Sequence, residues 1–251
     1  MSPTLILGVP GLWSKPSEPI LACAPKGYLW GGPKSVVLDP ATSKRHPFSV
    51  EVYDPDPNLT RSIEDLSFGR IDPETLRRVA EHTMTLYVVS EEAPGVELCQ
   101  TLMRFAGALL DAGGLAVKVE TCGIAHSAET WREFLSITLP DIGALNAVTV
   151  RVAATDTGES YSCGMKHFGL PDAVMPGCGP EQTATLDLLN KYLLIEKPDM
   201  RDGQTFGVSK HGPVYRLRRE PDSRFEPEHL FHNPYGQWRL EGPISSGTRR
   251  P

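Results

Sequence analysis

Two cysteine–histidine pairs are the residues of this sequence whose types and spacing could do chemistry. Cys122 and His126 are four residues apart, and so are Cys163 and His167. Thiolate sulfur and imidazole nitrogen are ligands of tetrahedral zinc, so the two pairs together could complete one zinc site. The C-x-x-x-H spacing differs from the tight C-x-x-C spacing of structural zinc sites. Buried thiols and surface histidines are the interpretation that we favour, and we predict no metal and no cofactor.

Either thiol could instead serve as a nucleophile. It would need an activating base, such as His126 or His167, and an orienting acid, such as Glu120 or Asp172. A general acid and base could also come from five carboxylates: Glu91, Glu92, Glu120, Glu129 and Glu133. Charged residues at such spacing more often cover a solvated helix face. The alternative function is therefore a metal- or thiol-dependent enzyme that uses Cys122, His126, Cys163 and His167.

The chain carries none of the common catalytic or nucleotide-binding signatures. It has no Walker phosphate loop, no G-x-G-x-x-G after a strand, no H-E-x-x-H and no G-x-S-x-G. We therefore predict no catalytic residue, and the main hypothesis is a non-catalytic protein.

The elements that must position these residues follow from the hydrophobic pattern. Short apolar or alternating runs predict strands at 5–9, 20–24, 35–38, 48–53, 84–90, 115–119, 147–153 and 160–165. Helices are predicted from Asp72-Pro73, over 96–111, after Ser127 and over 181–194. A terminal hairpin is predicted from 204–209 and 213–217.

This order of elements predicts an α+β fold, with a mixed, mainly antiparallel sheet and three to four packing helices. We expect residues 84–165 to weave a single sheet within one domain over residues 1–220. Residues 1–60 are a loop-rich extension of that domain, and residues 221–251 are an irregular C-terminal tail.

Composition restricts the classes of partner. The 251 residues hold 25 Lys and Arg against 31 Asp and Glu, a net charge of −6, which argues against a general nucleic-acid binder. No apolar run reaches the roughly 18 residues of a membrane helix, and no secretory signal begins the chain. Five widely spaced cysteines do not suggest a disulfide framework. We expect a cytoplasmic protein without membrane contact.

Five stretches resemble a bacterial family of uncharacterised α+β proteins. They lie at 82–90, 98–110, 116–120, 126–129 and 162–172, and the last has the pattern G-M-x-x-F-G-x-P-(D/E). The resemblance covers about residues 70–195 and is loosely associated with immunity proteins of bacterial toxin loci. It implies no catalytic residue. It does imply a protein partner, and the acidic balance favours a basic toxin.

Three further features of the sequence each suggest a structural role. Gly164 and Gly169 permit backbone geometry that other residues resist, so segment 162–172 is predicted to be a structural staple with Phe168 and Leu170 in the core. Four late aromatic residues either fold back onto the core or form a patch for a partner: Phe225, Phe231, Tyr235 and Trp238. A basic run at 216–219 is expected to be neutralised by Glu220 and Asp222.

Overall fold

The computed structural model describes residues 4–154 and 156–243, and this part of the chain divides after Val148 into two compact units. Its described residues form seven α-helices and two six-stranded sheets, in which one strand pair is parallel and the others are antiparallel. The prediction of a mainly antiparallel α+β fold is confirmed, with more helices and one more sheet than predicted. No helix among these residues has the length and apolar character that crossing a bilayer requires.

The first unit is built on one antiparallel sheet. Its strands are β1 (Leu5–Gly11), β2 (Ser35–Leu38), β3 (Arg45–Tyr53), β4 (Met84–Ser90), β5 (Ala116–Val119) and β6 (Ile124–Ser127). They lie in the order β2-β3-β4-β1-β5-β6. Its helices are α1 (Ser17–Cys23), α2 (Leu59–Ser67), α3 (Pro73–Ala80), α4 (Val96–Asp111), α5 (Ala128–Ser136) and α6 (Pro140–Val148).

Helix α4 organises the core of the first unit. It connects β4 to β5, which flank β1 on its two sides and both pair antiparallel with it, so the connection passes over β1. Leu5, Leu7 and Val9 alternate along β1 and are fully buried, as are Leu102 and Phe105 of α4. The period-2 pattern of the strand and the 3.6-residue pattern of the helix therefore bury one common core.

The second unit is a sheet covered by one long helix. Its elements are β7 (Val150–Ala154), β8 (Glu159–Cys163), β9 (Asp172–Pro176), α7 (Pro180–Ile195), β10 (Thr205–Gly207), β11 (Val214–Glu220) and β12 (Gln237–Glu241). The order is β10-β11-β12-β9-β8-β7, with β12 parallel to β9. Helix α7 lies against β7, β8 and β9 and buries Leu186, Leu189 and Leu193 there.

Four predictions about organisation differ from the structure. Residues 20–24, predicted as a strand, belong mostly to α1, because Pro19 lies in a first turn where proline is compatible with a helix. The single sheet expected over 84–165 is divided between the two units. The domain expected over 1–220 is replaced by a division after Val148, and the expected tail from 221 contributes β12, a strand inside the second sheet.

The contact between α5 and α6 yields a test of the first unit. A Cβ atom on Gly143 of α6 would overlap the carbonyl oxygen of Phe134 on α5, so Gly143→Ala should lower the free energy of unfolding by about 1–3 kcal/mol. Exposed Gly31 is the matched control, because its nearest neighbouring atom would lie at 3.5 Å, and Gly31→Ala should change stability by less than about 0.5 kcal/mol. Urea unfolding measures both, and equal stability of the two variants would contradict the packing.

Candidate functional site

The two cysteine–histidine pairs belong to different units. Cys122 lies in the turn between β5 and β6, and His126 lies on β6. Cys163 ends β8, and His167 lies in a short 3₁₀ helix, Met165–Phe168. Within residues 4–154 and 156–243, no three side chains of His, Cys, Asp or Glu form a group that could hold a metal ion. The described geometry therefore lends no support to the zinc hypothesis.

Both histidines are buried, so the prediction of surface histidines is wrong; His126 is 2% exposed and His167 is 0% exposed. His126 Nε2 lies 2.9 Å from the carbonyl oxygen of Ala147, and its ring packs 5.1 Å from that of Phe134. Burial lowers the pKa of His126 to about 4, although the bond to Ala147 opposes that shift. A neutral imidazole that joins β6 to α6 is a structural group.

The lowered pKa of His126 predicts a pH dependence of stability. Between pH 6.5 and about 4 the unfolded chain binds a proton at His126 that the folded chain does not, so the free energy of unfolding falls as the pH falls through this range. His126→Gln can still donate to Ala147 but has no such proton. Chemical unfolding from pH 7 to 4.5 should show a smaller loss for the variant than for the native chain, and parallel curves would refute this role.

The thiols of Cys122 and Cys163 are out of reach of a substrate. They are 2% and 1% exposed, and Cys163 Sγ donates to the carbonyl oxygen of Phe231 at 3.7 Å. The acids considered as orienting groups have other partners, since Glu120 pairs with Lys118 at 2.8 Å and Asp172 pairs with an arginine. Neither thiol therefore lies at a solvent-accessible point, which a nucleophile that meets a substrate requires.

The other candidate acids lie at the surface. Glu91, Glu92, Glu129 and Glu133 are exposed, as expected for a solvated face. Glu129 borders an open cavity of about 510 Å³ together with Asp111 and Arg132, and these two form a 3.0 Å ion pair. A second open cavity, of about 550 Å³, lies in the second unit and is lined by both polar and apolar residues, among them Asp199, Tyr192 and Phe206. Neither cavity contains one of the predicted cysteines or histidines.

Segment 162–172 has the backbone of the predicted staple. Gly164 and Gly169 bracket the 3₁₀ helix at φ 110° and 73°, which are left-handed conformations that favour glycine. Phe168 is buried between them. The segment ends on Asp172, which is fully buried at the start of β9 and accepts a 3.0 Å hydrogen bond from the backbone N–H of Met165.

A half-buried arginine, Arg224, joins this segment to a later part of the chain. Arg224 donates from Nη2 to Asp172 at 3.3 Å, from Nε to Asp222 at 2.9 Å and from Nη1 to the carbonyl oxygen of Ser162 at 2.8 Å. Both carboxylate side chains are 0% exposed. Burial raises the pKa of Asp172 to about 6, and Arg224 opposes the rise. The guanidinium thus satisfies two carboxylates that have no access to water.

The residues between β11 and β12 are the part of the chain that this arginine secures. We call residues 221–236 the aromatic loop; it contains neither helix nor strand. Segment 162–172 holds it at further points, since Lys166 Nζ donates to the carbonyl oxygens of Leu230 and His232. Asn233 donates from Nδ2 to Leu170 at 3.1 Å and from its backbone N–H to Asp222 at 2.9 Å. Segment 162–172 and the aromatic loop therefore form one structural assembly.

The aromatic loop turns several apolar groups outward. The rings of Phe225, His229 and Phe231 lie within 5.4 Å of one another, centroid to centroid. Phe225 and Phe231 are half-buried and His229 is exposed. Leu230 and Tyr235 are 40% and 37% exposed. Trp238 differs from these residues, because it lies on β12 and is buried.

Within the basic run at 216–219, Arg218 is paired with acids, but not with the acids that the sequence suggested. Arg218 pairs with Asp202 at 3.2 Å and with Glu241 at 3.4 Å. Glu220 pairs instead with Arg239. Asp222, the other expected partner, belongs to the buried network. Arg218 is therefore engaged by acids within the second unit, and Arg219 donates there to the carbonyl oxygen of Tyr235.

Sequence reasoning did not select the side chains that hold the aromatic loop. Asp222, Arg224 and Asn233 lie in the part that the sequence predicts to be an irregular tail, and the one partner predicted among them, the basic run for Asp222, is not the one that the structure shows. The signal that could have found them lies in segment 162–172, which contacts the aromatic loop. In this segment Lys166 and Asp172 stand among glycines and apolar residues. A lysine and an aspartate in an otherwise buried segment require partners.

The network predicts a large effect of removing its cation. Arg224→Met leaves Asp172 and Asp222 buried without it and should lower the free energy of unfolding by about 3 kcal/mol or more. Arg201→Met is the control, because Arg201 and Asp199 form an exposed pair that contributes at most about 1 kcal/mol. Thermal and urea unfolding provide the measurement. A loss from Arg224→Met no larger than that of the control would show that the buried pairs contribute little.

Comparisons with known proteins add no relative, since no protein-family model, curated protein or solved structure matches the chain. The resemblance to the bacterial family stays a prediction.

Proposed function

We propose that this chain is a non-catalytic protein-binding module, an immunity protein that neutralises a cognate basic toxin in the bacterial cytoplasm. The observation that carries the proposal is the aromatic loop, which exposes apolar side chains while buried groups hold its backbone. Binding through an already ordered loop loses less conformational entropy than binding through a mobile one. Aromatic side chains on such supports are typical anchors of protein interfaces.

The charge distribution favours a basic partner. Residues up to 148 contain 12 Lys and Arg against 18 Asp and Glu, and residues from 149 contain 13 of each, so the net charge of −6 belongs to the first unit. A negative field of this kind accelerates association with a positively charged protein. The aromatic loop adds Glu226 and Glu228, both exposed, at the proposed contact.

The state of the cysteines supports the cytoplasmic part of the proposal. None of the five cysteines, all of which lie in the described residues, forms a disulfide, and four of them are buried. Reduced thiols are typical of proteins that work in a reducing compartment. The burial of Cys122 and Cys163 also favours a structural role over the alternative of thiol chemistry.

The test uses the toxin encoded next to this chain's gene. Leu230→Ala combined with Tyr235→Ala truncates two exposed side chains of the aromatic loop and should weaken binding at least about tenfold, the loss expected when interface anchors are removed. Calorimetry with purified proteins measures the affinity. Growth of cells that express both proteins measures neutralisation.

The second unit offers a matched control. Leu188 and Tyr192 of α7 are the same two residue types and are each 37% exposed. Leu188→Ala combined with Tyr192→Ala should leave affinity and protection unchanged. A neighbouring toxin that neither binds nor is neutralised, or equal losses from the two double variants, would overturn the proposal.

A further inference from the structure

We infer that the aromatic loop recognises an arginine side chain of its partner. The inference rests on the proposed function and names the chemistry of the partner group that the loop contacts. Three features of the loop carry it: a cluster of rings, two exposed carboxylates beside those rings in the chain, and a backbone held by hydrogen bonds to Lys166 and Asp222.

The ring cluster offers an aromatic surface with an exposed member. Phe225 and His229 are stacked, with centroids 5.1 Å apart and planes 18° apart. Phe231 meets His229 edge-on at 4.9 Å. His229 is exposed, so a planar cation from a partner has access to this ring. A guanidinium can stack its flat face on that of such a ring.

The carboxylates supply the opposite charge. Glu226 and Glu228 are exposed and lie between Phe225 and His229 in sequence. Within the described chain, neither forms an ion pair with Lys, Arg or His. The other charged groups of the loop are internally compensated, because Asp222 and Arg224 pair with each other. The outward charge of the loop is therefore negative and complements a basic side chain.

The same combination already operates inside the protein. The guanidinium carbon of Arg224 lies 4.8 Å from the ring centroid of Tyr161 and 5.6 Å from that of Phe225, while its nitrogens pair with Asp172 and Asp222. Ring stacking and carboxylate pairing of one arginine are thus satisfied together around Phe225. An arginine fits better than a lysine, because a planar guanidinium can stack and donate two parallel hydrogen bonds at once.

The experiment uses the full chain labelled with ¹⁵N and a short peptide as the probe. The peptide is acetyl-Gly-Ser-Arg-Ser-Gly-amide, with citrulline and lysine versions as comparisons. Citrulline keeps the planar shape of arginine but has no charge. At millimolar peptide, the arginine version should shift the amide signals of residues 225–231, the lysine version should shift them less, and the citrulline version should leave them in place.

Charge variants identify the carboxylates. Glu226→Gln combined with Glu228→Gln should weaken arginine-peptide binding about two- to tenfold, as expected for the loss of two exposed ion pairs. Glu181→Gln combined with Glu196→Gln is the matched control, because both residues are exposed and belong to the same unit. The control pair should leave the affinity unchanged.

Other results would overturn the inference. They are shifts confined to residues outside the loop, equal shifts with citrulline, or no shift at millimolar arginine peptide.

The two proposals fail separately. If the loop variants weaken toxin binding but the arginine peptide does not shift the amide signals of the loop, only the arginine inference is contradicted. A peptide that binds the loop while the toxin is neither bound nor neutralised contradicts only the immunity function.

Discussion

The buried contact of Arg224 with Asp172 and Asp222 is the interaction on which the candidate site depends. Two carboxylates are removed from water there beside an arginine side chain that is only 14% exposed, and the buried charges are tolerable because that cation is present. The contact joins the start of β9 to a loop more than forty residues later in the chain. It thereby turns residues 221–236, which have no helix or strand of their own, into an ordered surface.

The ordering of this loop gives segment 162–172 a physical role. Its glycines allow the tight path of the 3₁₀ helix, and that path places Lys166, Leu170 and Asp172 where they contact the loop. The staple and the candidate binding surface are therefore two sides of one assembly. A substitution in segment 162–172 would alter the surface without touching a partner.

The two units contribute different properties to the proposed function. The first carries the whole net negative charge, and such a field acts over distances of about the Debye length, roughly 8 Å at physiological ionic strength. The second is neutral overall but presents apolar groups on an ordered loop. Long-range attraction and short-range anchoring are separate terms in protein association, and here they fall on separate parts of the chain. The chemistry suggested by the cysteine–histidine pairs finds no comparable support, because all four side chains are buried.

The sequence by itself determined the local elements and the class of fold. The period of the apolar residues located α4 and β4, and Asp72-Pro73 located the start of α3, because these signals act within a few residues. The alternation of apolar and polar residues over 237–241 is short and lies among prolines and polar residues, so it does not predict a strand. These residues form β12 because they pair with β11 on one side and β9 on the other. The tertiary structure alone decided the division after Val148, the burial of His126 and His167, and the partner of Asp172. Each of these three features depends on contacts between residues that are distant in sequence. The packing of whole helices and strands sets such contacts, and they produce no periodic pattern in the sequence.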